Sequence, residues 1–119
     1  ELELLVATGI AHEDLVFYYN ACSVMIITSF HEGSNNSVKE ALACNLPIVS
    51  VNVGDNQERL KNKKNCHIVE SYDSTVFADK LIEVISSRQR SDGATYIKNQ
   101  LSLSKIADNI IKIYNNVCH

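Results

Sequence analysis

The spacing of apolar and polar positions changes along the chain, and each change marks an element. Val24-Met25-Ile26-Ile27-Thr28 is a mostly apolar run that stops at a polar loop beginning at Ser29. A run of that length bounded by polar residues reads as a strand. Val38, Ala41 and Leu42 then recur at i, i+3 and i+4, the spacing of one helix face. Asn45 and Pro47 break that helix, and Ile48-Val49-Ser50-Val51 forms the next strand. The order is strand, loop, helix, strand, the core of a parallel α/β unit.

The flanks continue the alternation. Leu2 to Ala7 is a candidate first strand ending at Thr8-Gly9. His12-Glu13-Asp14 opens a helix with acids in its first turn, where the helix dipole favours them. Leu15, Val16, Tyr18, Tyr19 and Cys22 form its apolar side, so both tyrosines read as core aromatics and His12 as a helix-entry residue. Beyond the central unit, Val51 to Asn56 is a second loop, and a short helix begins at Gln57. Lys61 to Asn65 is a basic turn, read as solvated because it follows a helix end. Cys66 to Val69 is a strand, and Ser74 or Asp73 caps a helix whose apolar face runs from Val76 to Ile85. Arg88 to Gly93 reads as a linker, and a last helix spans about 104–116 with Ile106, Ile110, Ile113 and Tyr114 at helical spacing. The expected architecture is α/β, a parallel sheet of about four strands with helices on both faces.

Candidate chemistry gathers on the loop between the first central strand and its helix. Glu32 and Glu40 lie eight positions apart, one on the loop and one about a turn into the helix. Ligands of open parallel sheets bind outside the carboxyl ends of the strands. Asn35, Asn36 and Ser37 are capping residue types, and the free N–H groups of a helix start can hold an anion such as a phosphate. Gly33 would let the backbone approach a ligand, and Glu40 would reach ribose hydroxyls. From spacing alone the alternative stays open, with Asn36 or Ser37 only capping and both glutamates solvated.

At 119 residues the chain makes one domain with a single core. A hydrophobic content of 45% with 21% charged residues is that of an ordinary globular protein. A net charge of −3 offers no footprint for nucleic acid. No apolar stretch has membrane-spanning length, and no secretory signal opens the sequence. Cys22, Cys44 and Cys66 fall 22 residues apart, each ahead of an apolar run, and Cys118 stands alone. That spacing suits a repeated β–α unit and no metal site, so four reduced thiols are expected. Because Glu1-Leu2 opens almost directly into an element, the chain is expected to start inside a larger protein.

The run from Glu32 through Glu40-Ala41-Leu42-Ala43 to Pro47-Ile48-Val49 resembles the E-x7-E signature of family-4 retaining glycosyltransferases. More closely, Lys39 to Leu60 is similar to bacterial enzymes of the teichuronic-acid and capsular polysaccharide kind. The similarity runs from about Leu4 to Glu83, and His12-Glu13-Asp14-Leu15 with Tyr18-Tyr19-Asn20-Ala21 matches the stretch that precedes the family's signature. It departs from the family at Cys22-Ser23, at Asn45, and at Asp55 in the "G-G-x-x-E" element that Gly54 begins. Asn45 tolerates the left-handed conformation of the glycine it replaces. A side chain at Asp55 would narrow the cleft or touch an acceptor.

The resemblance implies a Rossmann-like, nucleotide-sugar-binding C-terminal domain, one half of a two-domain GT-B enzyme whose N-terminal domain lies upstream. It implies hexosyl transfer, with retention, from a UDP- or GDP-linked donor to a saccharide or lipid-linked acceptor in bacterial surface polysaccharide synthesis. Glu32 would face the reacting sugar and Glu40 hold the ribose, while Gly33, Ser34, Asn35, Asn36, Ser37 and Gly54 line the donor. No cofactor or divalent metal is implied, because helix dipoles and basic side chains stabilise the leaving group. Those basic side chains would lie upstream of Glu1, so the isolated chain is expected to be inactive. The full-length enzyme would be cytoplasmic, with peripheral association at the inner face of the membrane, and the last helix would brace the other domain. The competing class is a non-catalytic binding or interaction domain of the same fold. A response-receiver domain is excluded, since neither its acidic pair nor its phospho-acceptor aspartate is present.

Overall fold

A computed structural model describes residues 2–118. A 3₁₀ turn at His12–Asp14 leads into α1, Leu15–Ala21, followed by β1, Met25–Ile27, and α2, Asn36–Ala43. Then come β2, Ile48–Val51, α3, Asn56–Leu60, β3, His67–Val69, and α4, Ser74–Ser87. The chain ends in α5, Gly93–Tyr96, a π-helical turn at Ile97–Leu101, and α6, Leu103–Val117. The strands form one parallel sheet in the order β1-β2-β3, with Met25 opposite Ile48 and Val49 opposite His67. Every residue of β2 is buried, so both faces of the sheet are covered by helices. This is a Rossmann-like α/β architecture.

The core follows from the periodicities. Val38, Ala41 and Leu42 of α2 meet Ile48, Val49 and Val51 of β2, with Leu60, Val69, Phe77 and Val84 completing the cluster. Asp73 caps α4 by accepting from the Thr75 N–H at 2.8 Å. The 22-residue cysteine spacing is structural: Cys22 and Cys44 close α1 and α2, Cys66 immediately precedes β3, and all four thiols are free.

Three expectations need correction. Leu2 to Ala7 is not a strand, and the sheet has three strands where about four were expected. Strand residues need a neighbouring ladder for their N–H and C=O groups, and among the described residues none lies beside this segment, which is exposed throughout. Tyr18 is 36% exposed and does not belong to the core, whereas Tyr19 packs against it. Finally, Arg88 to Gly93 is a built connector. Ser91 and Gly93 are buried, the Ser91 N–H donates to the Asn45 carbonyl at 2.8 Å, and the Ala94 N–H donates to Asn45 Oδ1 at 2.8 Å. Asn45 has φ +55°, so it adopts the left-handed turn and also supplies an acceptor that glycine lacks. A Cβ on Gly93 would come within 2.6 Å of Leu42 Cδ2, which explains why only glycine lets α5 lie on α2.

Arg90 holds this connector in place. Its Nη1 donates to the Cys22 carbonyl at 2.7 Å, and its Nη2 donates to the Tyr19 and Cys44 carbonyls at 3.1 and 2.9 Å. These carbonyls belong to the ends of α1 and α2, where helices leave acceptors unsatisfied and favour a cation. In contrast, α6 buries none of its residues and leaves Ile106, Ile110, Ile113, Tyr114 and Val117 exposed.

Candidate functional site

The parallel strands all point their carboxyl ends at one edge, and three loops meet there. The β1–α2 loop carries Glu32, Gly33 and Ser34, all exposed. The β2–α3 loop docks directly on it: Gly54 has φ +55°, and the Asp55 N–H donates to the Gly33 carbonyl at 3.2 Å. A Cβ at Gly54 would collide with the Gly33 carbonyl oxygen and approach that of Glu32 to 2.9 Å. Glycine is therefore required by the contact as well as by the backbone conformation. The β3–α4 loop joins from the far side. Tyr72 stacks on Phe30 with ring centroids 4.8 Å apart, its hydroxyl donates to the Ser29 carbonyl at 3.2 Å, and Asn52 Nδ2 donates to the Glu70 carboxylate at 3.3 Å.

Asp55 bridges the β1–α2 loop and α3. Its Oδ2 accepts from Ser34 Oγ at 2.7 Å and from Arg59 Nε at 2.9 Å. Burial works against the charged carboxyl, but the hydrogen bonds from Ser34 and Arg59 outweigh it and hold Asp55 below the usual carboxylate range. Arg59 in turn donates to the Tyr96 hydroxyl at 2.7 Å, and Lys63 sits 4.2 Å above the Tyr96 ring. Asp55 thus latches two loops together, and the Ser34 hydroxyl is engaged in that latch.

Helix α2 starts at the same edge. Asn35 is its N-cap and accepts from the Ser37 N–H at 2.9 Å, while Asn36 Oδ1 accepts from Lys39 Nζ at 3.3 Å. The first-turn N–H groups of such a helix face outward without intrahelical partners. Glu40 lies one turn further in and is half-buried. Its Oε2 accepts from Tyr19 Oη at 2.9 Å, and its Oε1 is 3.9 Å from His12 Nδ1. The Tyr19 phenol titrates above its ordinary range, through burial first and the Glu40 hydrogen bond second.

All eight candidate positions, Glu32 to Ser37, Glu40 and Gly54, thus lie on or beside two contacting loops and the helix between them. Sequence reasoning did not single out Tyr19 as Glu40's partner; it lies 21 positions away, and only the packing of α1 on α2 joins them. Among the described residues no group of carboxylates, histidines and cysteines could hold a metal ion, and no helix is long and apolar enough to cross a membrane. One surface depression, of about 270 Å³, lies around Lys63, Asp92 and Tyr96; a second, of about 790 Å³, lies between α3 and β3 and is bordered by Gly54 and Asp55 of the β2–α3 loop. Neither is lined by Glu32 or Glu40; Glu32 is exposed on its loop and Glu40 is half-buried, so the wall they share is open to solvent.

Residues 2–87 match the sequence profile of the family described as Glycosyl transferases group 1. The chain is also 25% identical over 107 residues to the "Capsular polysaccharide biosynthesis glycosyltransferase CapM" of Staphylococcus aureus. That alignment covers 86% of this chain but only 28% of the relative. No solved structure matches at a significant level.

Proposed function

Since the chain belongs to the group 1 glycosyl transferases, we propose that it is the donor-binding C-terminal part of a retaining, nucleotide-sugar-dependent hexosyltransferase. The donor is UDP- or GDP-linked, and the acceptor is a saccharide or lipid-linked saccharide of bacterial surface polysaccharide synthesis. The observation that carries this reading is the shared edge. Glu32 stands on the exposed loop and Glu40 one turn into α2, with the Gly33–Gly54 contact forming a backbone floor beside Glu32.

Along that floor the diphosphate would lie against the first turn of α2, where N–H groups and the helix dipole favour an anion. Gly33, Gly54 and the main chain from Ser34 to Ser37 would line it, with Glu40 taking the ribose and Glu32 facing the sugar beside the breaking bond. No step requires a metal; basic side chains from another part of the protein would neutralise the leaving diphosphate. An N-terminal domain of similar architecture would close the open wall. The unpartnered apolar row of α6 supports this, since an exposed row of that kind marks a docking surface. The working enzyme would sit in the cytoplasm at the inner face of the membrane, where lipid-linked acceptors are held.

The protein that carries this chain, given UDP- and GDP-hexoses with a lipid-linked acceptor, should transfer hexose and keep the donor's anomeric configuration, read by NMR of the product. Inversion would overturn the mechanism, and failure to use any nucleotide sugar would overturn the donor assignment.

A further inference from the structure

One oxygen of the Glu40 carboxylate is already taken. Tyr19 Oη donates to Oε2 at 2.9 Å, while Oε1 lies 3.9 Å from the exposed ring of His12, beyond hydrogen-bond distance. An ionised carboxylate only accepts, and each oxygen can accept separately, so Oε1 keeps its capacity for an incoming hydroxyl. Tyr19 is itself fixed from two sides. Its ring packs against the buried core, and its carbonyl accepts from Arg90 Nη2 at 3.1 Å. The donor therefore belongs to the rigid part of the fold, whereas the glutamate has three side-chain torsions of its own.

We propose that Tyr19 is a positioning residue for Glu40: its hydroxyl fixes the carboxylate by Oε2 and presents Oε1 to the ribose of the donor. The inference rests on the reading of Glu40 as the ribose ligand and adds how that ligand is held before the nucleotide arrives. Without the phenol hydroxyl the glutamate would have to be ordered on binding, which weakens affinity by about two- to tenfold for one flexible side chain. Because the interaction with ribose is made in ground state and transition state alike, the loss should fall on the donor KM and leave kcat within about twofold.

The test is a double-variant cycle in the protein that carries this chain, with UDP and GDP as calorimetric probes. Tyr19→Phe keeps the ring in the core, and thermal unfolding of the variant checks that the fold is retained. Tyr19→Phe should weaken whichever nucleotide binds by about two- to tenfold in the wild-type background. In the Glu40→Ala background it should have no effect, because nothing remains to be positioned. Equal losses in both backgrounds would mean that Tyr19 touches the nucleotide or merely supports the fold, and the proposal fails. It also fails if Glu40→Ala weakens binding and Tyr19→Phe does not. If Glu40→Ala binds like wild type, or neither nucleotide binds, the ribose reading itself is wrong and the positioning role falls with it.

Discussion

Replacing Arg90 by alanine should destabilise the chain by about 2–4 kcal/mol, a large share of a typical domain's 5–15 kcal/mol. The guanidinium makes three hydrogen bonds to main-chain carbonyls, at 2.7, 3.1 and 2.9 Å, and ties the ends of α1 and α2 to the segment before α5. A hydrogen bond involving a charged group contributes about 1.5–3 kcal/mol, but three bonds from one half-buried side chain do not add, because water takes up part of what is lost. Alanine also removes a cation from two helix C-termini. For a chain of this size the loss corresponds to a fall in melting temperature of roughly 8–15 °C. Arg90→Lys keeps the charge but offers a single ammonium that cannot span three carbonyls, so it should show more than half of the effect. The sequence contains no tryptophan, so urea unfolding is best followed by far-UV circular dichroism. An alanine variant within about 0.5 kcal/mol of wild type would refute the clamp, and Arg88 to Gly93 would be a linker after all.

Other substitutions probe the remaining contacts. Gly54→Ala should cost about 1–3 kcal/mol through the Gly33 collision and the positive φ, and it should reduce transfer as the loops separate; an unperturbed variant would deny the docking of the two loops. Asp55 titrates below its ordinary value in the folded state, so its contribution is present above the unfolded carboxylate pKa and lost as pH falls through the lower, folded one. Asp55→Asn should therefore flatten the acid limb of the stability profile, and an unchanged limb would show that the latch carries no charge-dependent stability. Thiol counting under denaturing, non-reducing conditions should find four reactive groups, and fewer would contradict free thiols. Cys66, whose thiol is pushed up by burial, should be slower to label in the native protein than exposed Cys118.

Much of the central unit was legible because it is local. Ile48–Val51 announces itself by composition and by the Pro47 break, and α2 by the i, i+3, i+4 spacing of Val38, Ala41 and Leu42. Gly33, Asn35 and Glu40 were readable as neighbours at one strand–loop–helix junction because loop, cap and helix follow one another within a few positions. What escaped depends on distance along the chain. Leu2 to Ala7 has the composition of a strand, but a strand also needs a neighbour, which composition does not reveal. Arg90 looks like a surface charge between two helices until its partners, 46 to 71 positions away, are in place. The same holds for Asp55, whose bond to Ser34 spans 21 positions and could not be read from either loop alone. Nor does any apolar periodicity mark α5 and the π-helical turn after it, a stretch held by Asn45 and by the fit of Gly93 on Leu42.

The division of labour between the two glutamates is the centre of the account, and nucleoside diphosphate affinity tests it most directly. A hydrogen bond from a ribose hydroxyl to a carboxylate contributes about 1.5–3 kcal/mol, so Glu40→Ala should weaken UDP or GDP by roughly tenfold or more in calorimetry on the protein that carries this chain. Glu32→Gln should bind the same nucleotide like wild type and lose its rate in kcat, because its partner is the sugar. Wild-type affinity in Glu40→Ala, or a nucleotide affinity lost in Glu32→Gln, would contradict the assignment.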